Sequence, residues 1–178
     1  MDRLYFTPWS CSIASMALLV ECAHPIEAVR LQMGRDGAGD EAFARLSPLR
    51  QVPVLETGDL IIRETGAIIA HLSWSAPDNP MFARGHREQL DMTQWIGFLG
   101  GTVHPLFRIL FRPERFAGES PDQLSADLKR HTGRYLGKVM SVVDGQLSDR
   151  EWILGRRTCL DFYLFAFTRW LDLLKLEM

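Results

Sequence analysis

The sequence predicts an α/β domain over residues 1–75, in the order βαβ-α-ββα, followed by an all-α helical domain over 84–178. Three observations carry this. Short apolar runs with strand character, at 3–7, 26–30, 53–56 and 60–63, all lie in the first part of the chain. Residues 75–80, Ser-Ala-Pro-Asp-Asn-Pro, have linker composition and set a boundary at 76–83. Beyond it, apolar residues recur at helical spacing with no convincing strand.

Taken in order, Arg3-Leu4-Tyr5-Phe6-Thr7 is the first strand and Pro8-Trp9-Ser10 a turn. A helix follows over 12–22, with Ile13, Ala17 and Val20 on its apolar face and Leu18 and Leu19 broadening it. His24-Pro25 ends it, because proline steers its predecessor away from helix. Residues 26–30 alternate apolar and polar like a half-buried strand. Residues 34–39 form a flexible glycine-rich loop, and 40–46 a short helix closed by Ser47-Pro48. Strands at 53–56 and 60–63 are joined by a Thr57-Gly58-Asp59 hairpin turn and run into a helix over 64–74. This order is that of a thioredoxin-like domain. In the second part, a long helix over 84–103 carries Trp95, Phe98, Leu99 and Val103 on one side, and Pro105 kinks or ends it. A second helix spans 124–147. Thr158-Cys159-Leu160-Asp161 is a capping box opening a last helix that runs to Met178 without a stop signal.

Composition excludes several classes. A chain of 178 residues buries roughly 70% of its unfolded surface, enough for a substantial core. A net charge of -2 gives no general attraction to nucleic acid or to an anionic membrane. No apolar run approaches the ~20 residues of a membrane span. The start of the chain lacks the layout of a signal peptide. Cys11, Cys22 and Cys159 are too few, and odd in number, for a disulfide framework. A reduced, cytoplasmic protein is expected. His24, His71, His86 and His131 are scattered without ligand partners at metal spacing, so no metal site is expected.

Three short segments carry candidate chemistry. Cys11 lies where the first strand turns into a helix, and unpaired N–H groups there lower a thiol pKa. Against this stands a small buried apolar residue, the reading given to Cys22 and Cys159. Ser10 and Ser12 flank Cys11 as hydroxyl donors or as plain helix caps. Gln51-Val52-Pro53-Val54-Leu55 describes a peptide-binding edge, where proline opens an apolar strand. Glu64-Thr65, at a strand-to-helix junction, suits a bound carboxylate. Arg108, Arg112 and Arg115 form a short basic cluster, expected on a solvated face, with an anionic subsite as the alternative.

Together, Leu4-Tyr5-Phe6 with Pro8-Trp9-Ser10-Cys11-Ser12, Val52-Pro53 with Glu64-Thr65, and Leu154-Gly155 leading into the capping box resemble the glutathione S-transferase family over nearly the whole chain. Cys11 resembles the bacterial beta class, and the Ser10-Cys11-Ser12 run also resembles the zeta class. The resemblance implies glutathione as co-substrate, no metal, and a thiol-activating group among Ser10, Cys11 and Ser12. It implies a cis Pro53, Val52 pairing with the cysteinyl backbone, and Glu64 and Thr65 holding the γ-glutamyl end. Leu49-Arg50-Gln51 stands where the family often has a glycine, and Arg50 or Gln51 is expected to reach the glycyl carboxylate. His104 is expected to face the site. Trp9, His104 and Phe107 are expected in the pocket of an electrophilic apolar second substrate, with Phe111 as a further candidate. A homodimer is implied. If Cys11 is the active group, thiol exchange with glutathione gains over conjugation. A non-catalytic protein-interaction module and a glutathione-dependent isomerase are the alternatives. Family members usually continue through one or two more helices, so this is either a natural short form or a truncated sequence, and a missing end would uncover apolar surface and open the second-substrate pocket.

Overall fold

The computed structural model describes residues 1–34, 36–117 and 121–176. Its first half is organised by β1 (Asp2–Phe6). β1 pairs in parallel with β2 (Ile26–Arg30) and antiparallel with β3 (Val54–Thr57), which pairs antiparallel with β4 (Leu60–Arg63), giving the order β2-β1-β3-β4. A parallel pair needs a crossover, supplied by α1 (Ser12–Glu21). On one face of the sheet, Leu4 and Leu55 sit opposite each other, both fully buried. They are covered by Leu18 and Leu19 of α1 and by Ile68, Ile69 and Leu72 of α3 (Thr65–Ser75). On the other face α2 (Glu41–Leu46), capped by Asp40 accepting from the Phe43 N–H at 3.1 Å, sets Phe43 over Tyr5 and Val54.

The second half is helical: α4 (His86–Phe98), a π-helical turn Leu99–Val103, α5 (His104–Phe111), a 3-10 turn Pro113–Arg115, α6 (Pro121–Leu147) and α7 (Cys159–Leu174). One apolar core runs through both halves, from Leu4 and Leu18 to Phe107 and Phe167. Arg156 ties the connecting segment to the helices: its guanidinium donates to Glu88 (3.0 Å), to the Phe82 carbonyl (2.7 Å) and to the Pro80 carbonyl.

Several sequence expectations change. The buried face of α1 is Ser12, Ala14, Ser15, Leu18 and Leu19, while Ile13 and Val20 face outward. The helix is apolar nearly all round, so its sequence fits two faces, and packing against both sheet and α7 selects one. Pro105 does not end the long helix. The preceding turn widens instead, the His104 N–H bonding to the carbonyl of Leu99 five residues back, and the helix runs on through Pro105 into α5. The glycine-rich loop is tied down: the Gly34 N–H bonds to the Gly37 carbonyl (2.8 Å), and Ala38 is fully buried; Arg35 lies outside the described residues. α6 begins three residues before the expected 124. The capping box of α7 is present, with Asp161 accepting from the Thr158 N–H at 2.7 Å, but the helix stops at Leu174 with Lys175 left-handed (φ 52). The expected continuation to Met178 reaches beyond the described residues.

Where α5 meets α7, aromatic rings fill the core. Phe107 stacks on Phe167 (centroids 5.6 Å apart, 6° between planes) and meets Trp170 edge-on at 5.3 Å. Replacing Phe107 with Ala is expected to cost about 3–5 kcal/mol in urea unfolding; a loss under about 1 kcal/mol would remove Phe107 from the core.

Candidate functional site

A cleft of about 710 Å³ opens between the two halves, within the range of small-molecule sites. Its floor is the turn after β1. There the hydroxyls of Ser10 (2.8 Å) and Ser12 (3.3 Å) both donate to the Thr7 carbonyl and lie against each other, so the turn is closed by its own side chains. Trp9 adopts φ 63, and its carbonyl accepts from the Trp170 indole N–H of α7 at 2.8 Å. Ser10 and Cys11 line the cleft. Ser12 is fully buried and faces the turn instead, so the expectation that it serves the chemistry directly does not hold. Thr7, which the sequence did not single out, is buried with its hydroxyl unpartnered among the described residues.

Cys11 occupies the cap position of α1 as expected, but its thiol does not have a lowered pKa. Burial pushes it up to about 12, Glu64 adds to the rise, and Arg108 opposes it. The sulfur donates to the Val52 carbonyl at 3.2 Å.

That carbonyl belongs to the second wall. The Val52–Pro53 peptide is cis. Ser47 braces the approach, its hydroxyl accepting from the Gln51 N–H (2.9 Å) and donating to the Gln51 carbonyl (3.0 Å). Arg50 folds back on the loop, Nε donating to the Ala38 carbonyl at 3.1 Å and Nη2 to the Gly39 carbonyl. Gly37 permits this: at φ 140, an added Cβ would stand 2.5 Å from the Arg50 Cβ. Glu64 and Thr65 close this wall at the start of α3. Glu64 is exposed at φ 73, an unusual conformation for a side-chain-bearing residue. Thr65 is buried, beside Tyr163 of α7, whose phenol is pushed up by burial, then by Cys11 and Glu64, with a Thr65 hydrogen bond acting the other way.

The third wall is α5. His104 lines the cleft, its ring 5.3 Å from Trp170 and 5.7 Å from Phe167. Burial, and then the charge of Arg108, lower its pKa to about 4, so it is neutral at pH 7. Phe107 was expected here and is absent: it points into the core, and Phe111, one turn on, lines the cleft in its place. Arg108, Arg112 and Arg115, expected on a solvated face, also line it. Their spacing from His104 was the available signal, since residues four apart share one helix face.

A family profile described as "Glutathione S-transferase, N-terminal domain" matches residues 3–73. Glutathione S-transferase GstA of Escherichia coli O157:H7 is 30% identical, across 99% of this chain and 85% of its own length. This chain belongs to the glutathione S-transferase family. The family is one of transferases, and glutathione S-transferase GST-4.5 of Xanthomonas campestris is a further relative, at 28% identity across 94% of this chain and 81% of its own. The fold agrees. The glutathione S-transferase from Xylella fastidiosa superposes with a TM-score of 0.89 at 23% identity, covering 100% of this chain and 86% of that one.

The half-buried neutral imidazole has a stability consequence. With its folded pKa at about 4 against an ordinary 6.5, His104 favours the fold above pH 6.5. That contribution falls away as pH drops from 6.5 toward 4, where the unfolded chain takes up the proton first, at up to about 1.4 kcal/mol per pH unit. Urea unfolding at pH 7 and pH 5 is expected to show a smaller loss in His104→Gln than in the unsubstituted protein. Equal losses would mean that His104 is not held neutral.

Proposed function

We propose that the protein binds glutathione in this cleft and activates its thiol for attack on an electrophilic second substrate. The observation that carries this is the convergence of three recognition elements on one cavity: the Val52 backbone edge, the Glu64–Thr65 pair at the start of α3, and the donor-rich turn at Ser10–Cys11. The γ-glutamyl carboxylate takes the Thr65 hydroxyl and the first N–H groups of α3, and Glu64 holds the ammonium group. The cysteinyl main chain runs along Val52, and Gln51 or Arg50 faces the glycyl carboxylate. The thiol then lies at the start of α1, where the helix N–H groups and the Ser10 hydroxyl, turned from the Thr7 carbonyl, stabilise its thiolate. The thiolate attacks the electrophilic carbon, a C–S bond forms and the leaving group departs.

The raised pKa of Cys11 supports conjugation over thiol exchange. A neutral thiol is a poor nucleophile for disulfides, and the Cys11 thiol is engaged with the Val52 carbonyl. Functionally, residues 1–75 form the glutathione half and 84–178 the half that completes the second-substrate pocket, joined by 76–83. Trp9, His104 and Phe111 give that pocket its apolar surface. Among the described residues no helix is long and apolar enough to cross a membrane. The chain forms a homodimer in this reading; Trp74, 87% exposed on α3, is the kind of surface a second copy covers.

Calorimetric titration of reduced glutathione is expected to show one site per chain with micromolar to low-millimolar affinity. Glu64→Gln is expected to weaken it about tenfold or more. Conjugation of a nitroaryl chloride is expected to fall about tenfold or more in Ser10→Ala and to survive in Cys11→Ala. Absence of binding heat in the folded protein at two temperatures would end the glutathione reading, and loss of all activity in Cys11→Ala would restore the cysteine mechanism. Light scattering is expected to give twice the 20.3 kDa chain mass; a monomer would contradict the dimer.

A further inference from the structure

The cleft carries more positive charge than glutathione uses. Arg50, Arg63, Arg108 and Arg112 line it, and among the described lining residues Glu64 is the one carboxylate, in a chain whose net charge is -2. Arg50 and Arg63 belong to the glutathione side and hold loop carbonyls there, Arg63 donating from Nε to Leu46 at 2.6 Å. The others come from the opposite wall. His104, Arg108 and Arg112 follow one another at intervals of four residues: His104 and Arg108 share one face of α5, about 6 Å apart along its axis, and Arg112 stands just past its end at φ -138. Glu114 lies 3.6 Å from Arg112. Arg108 is exposed to the cleft, and among the described residues no hydrogen bond or ion pair engages its guanidinium. Its charge is felt by both Cys11 and His104, which sets it near the reacting end of the cleft. Trp9, Phe111, Phe116 and Leu173 line the same cleft with apolar surface.

Glutathione brings two carboxylates and one ammonium group. Glu64 matches the ammonium, α3 one carboxylate, and the Arg50 loop the other. The Arg108 row is left over, and a guanidinium beside apolar surface is a strong, geometrically selective receptor for a carboxylate or sulfonate.

We infer that the second substrate is an organic anion: a flat apolar body bearing a carboxylate or sulfonate, which Arg108 binds with help from Arg112 while the electrophilic carbon lies toward Ser10 and Cys11. The reaction rests on the glutathione reading; the anion site does not. In the reaction the glutathione thiolate forms the C–S bond, the carbon–halogen bond breaks, halide leaves with its electron pair, and the carboxylate is unchanged.

The test uses the full chain without glutathione. Nitroaromatics quench tryptophan, and Trp9 and Trp170 both line the cleft. Fluorescence titration with 3,5-dinitrobenzoate and with the neutral 3,5-dinitrobenzamide is expected to show the acid binding about tenfold or more tightly. Added salt narrows the gap. Arg108→Gln closes it by weakening the acid alone, and leaves glutathione affinity unchanged by calorimetry. Equal binding of acid and amide, or a gap that persists in Arg108→Gln, overturns the proposal. So does a matching loss of glutathione affinity in that variant, which would make Arg108 part of the glutathione site. In the presence of glutathione, rate enhancement over the uncatalysed reaction is expected to be larger for 4-chloro-3,5-dinitrobenzoate than for its amide. A binding gap with no conjugation of either compound and no heat on titration of glutathione would support the anion site and retire the glutathione reading.

Discussion

The hydrogen bond from the Trp170 indole to the Trp9 carbonyl is the constraint on which the site rests. Trp9 holds a left-handed backbone conformation that costs a side-chain-bearing residue about 1–3 kcal/mol. Local hydroxyl bonds close the turn from below, but the tie that fixes it from above comes from the last helix. Arg169 adds a second contact from α7, its guanidinium 5.6 Å above the Trp9 ring. The turn that presents Ser10 and Cys11 is thus encoded at one end of the chain and held by the other. Neither half alone makes the cleft.

Within that frame, competing electrostatic effects decide the roles of individual groups. A helix N-terminus favours an anion by about 0.3–1 kcal/mol at an exposed site. Moving the Cys11 thiol from 9.0 to about 12 corresponds to roughly 4 kcal/mol in the other direction. Burial wins, and the cysteine stays a thiol. The same burial removes the charge from His104. The floor of the cleft is therefore neutral and donor-rich, and the fixed cations stand higher up on α5. A thiolate bound at the floor is the charge such a site lacks.

Much of this was legible in the sequence because it is local. Val52-Pro53, Glu64-Thr65 and the Thr158–Asp161 box each declare themselves within a few residues, since prolines, caps and strand ends act over that range. What was not legible depended on choices between faces. Ser12 and Ser10 are equivalent as residue types, and only the fold of the turn buries one and exposes the other. Phe107 and Phe111 are four apart on α5, yet one packs against Phe167 and the other meets the cleft. Ile13 and Val20 fit an apolar stripe on α1 that α7 and the sheet do not use. The arginine row has helical spacing from His104, but spacing alone does not say which side of a helix finds a cavity.

The π-helical turn at Leu99–Val103 gives that last point a wider meaning. A turn that holds one extra residue advances the angular phase of everything after it by roughly 100°. Which residues of α5 look into the cleft is therefore set upstream, by how many residues the chain packs into one turn, as much as by their identity. A one-residue insertion or deletion there would rotate a different set of side chains over the same floor. Substrate preference in such a scaffold can change by re-indexing a helix, with every residue on it unchanged.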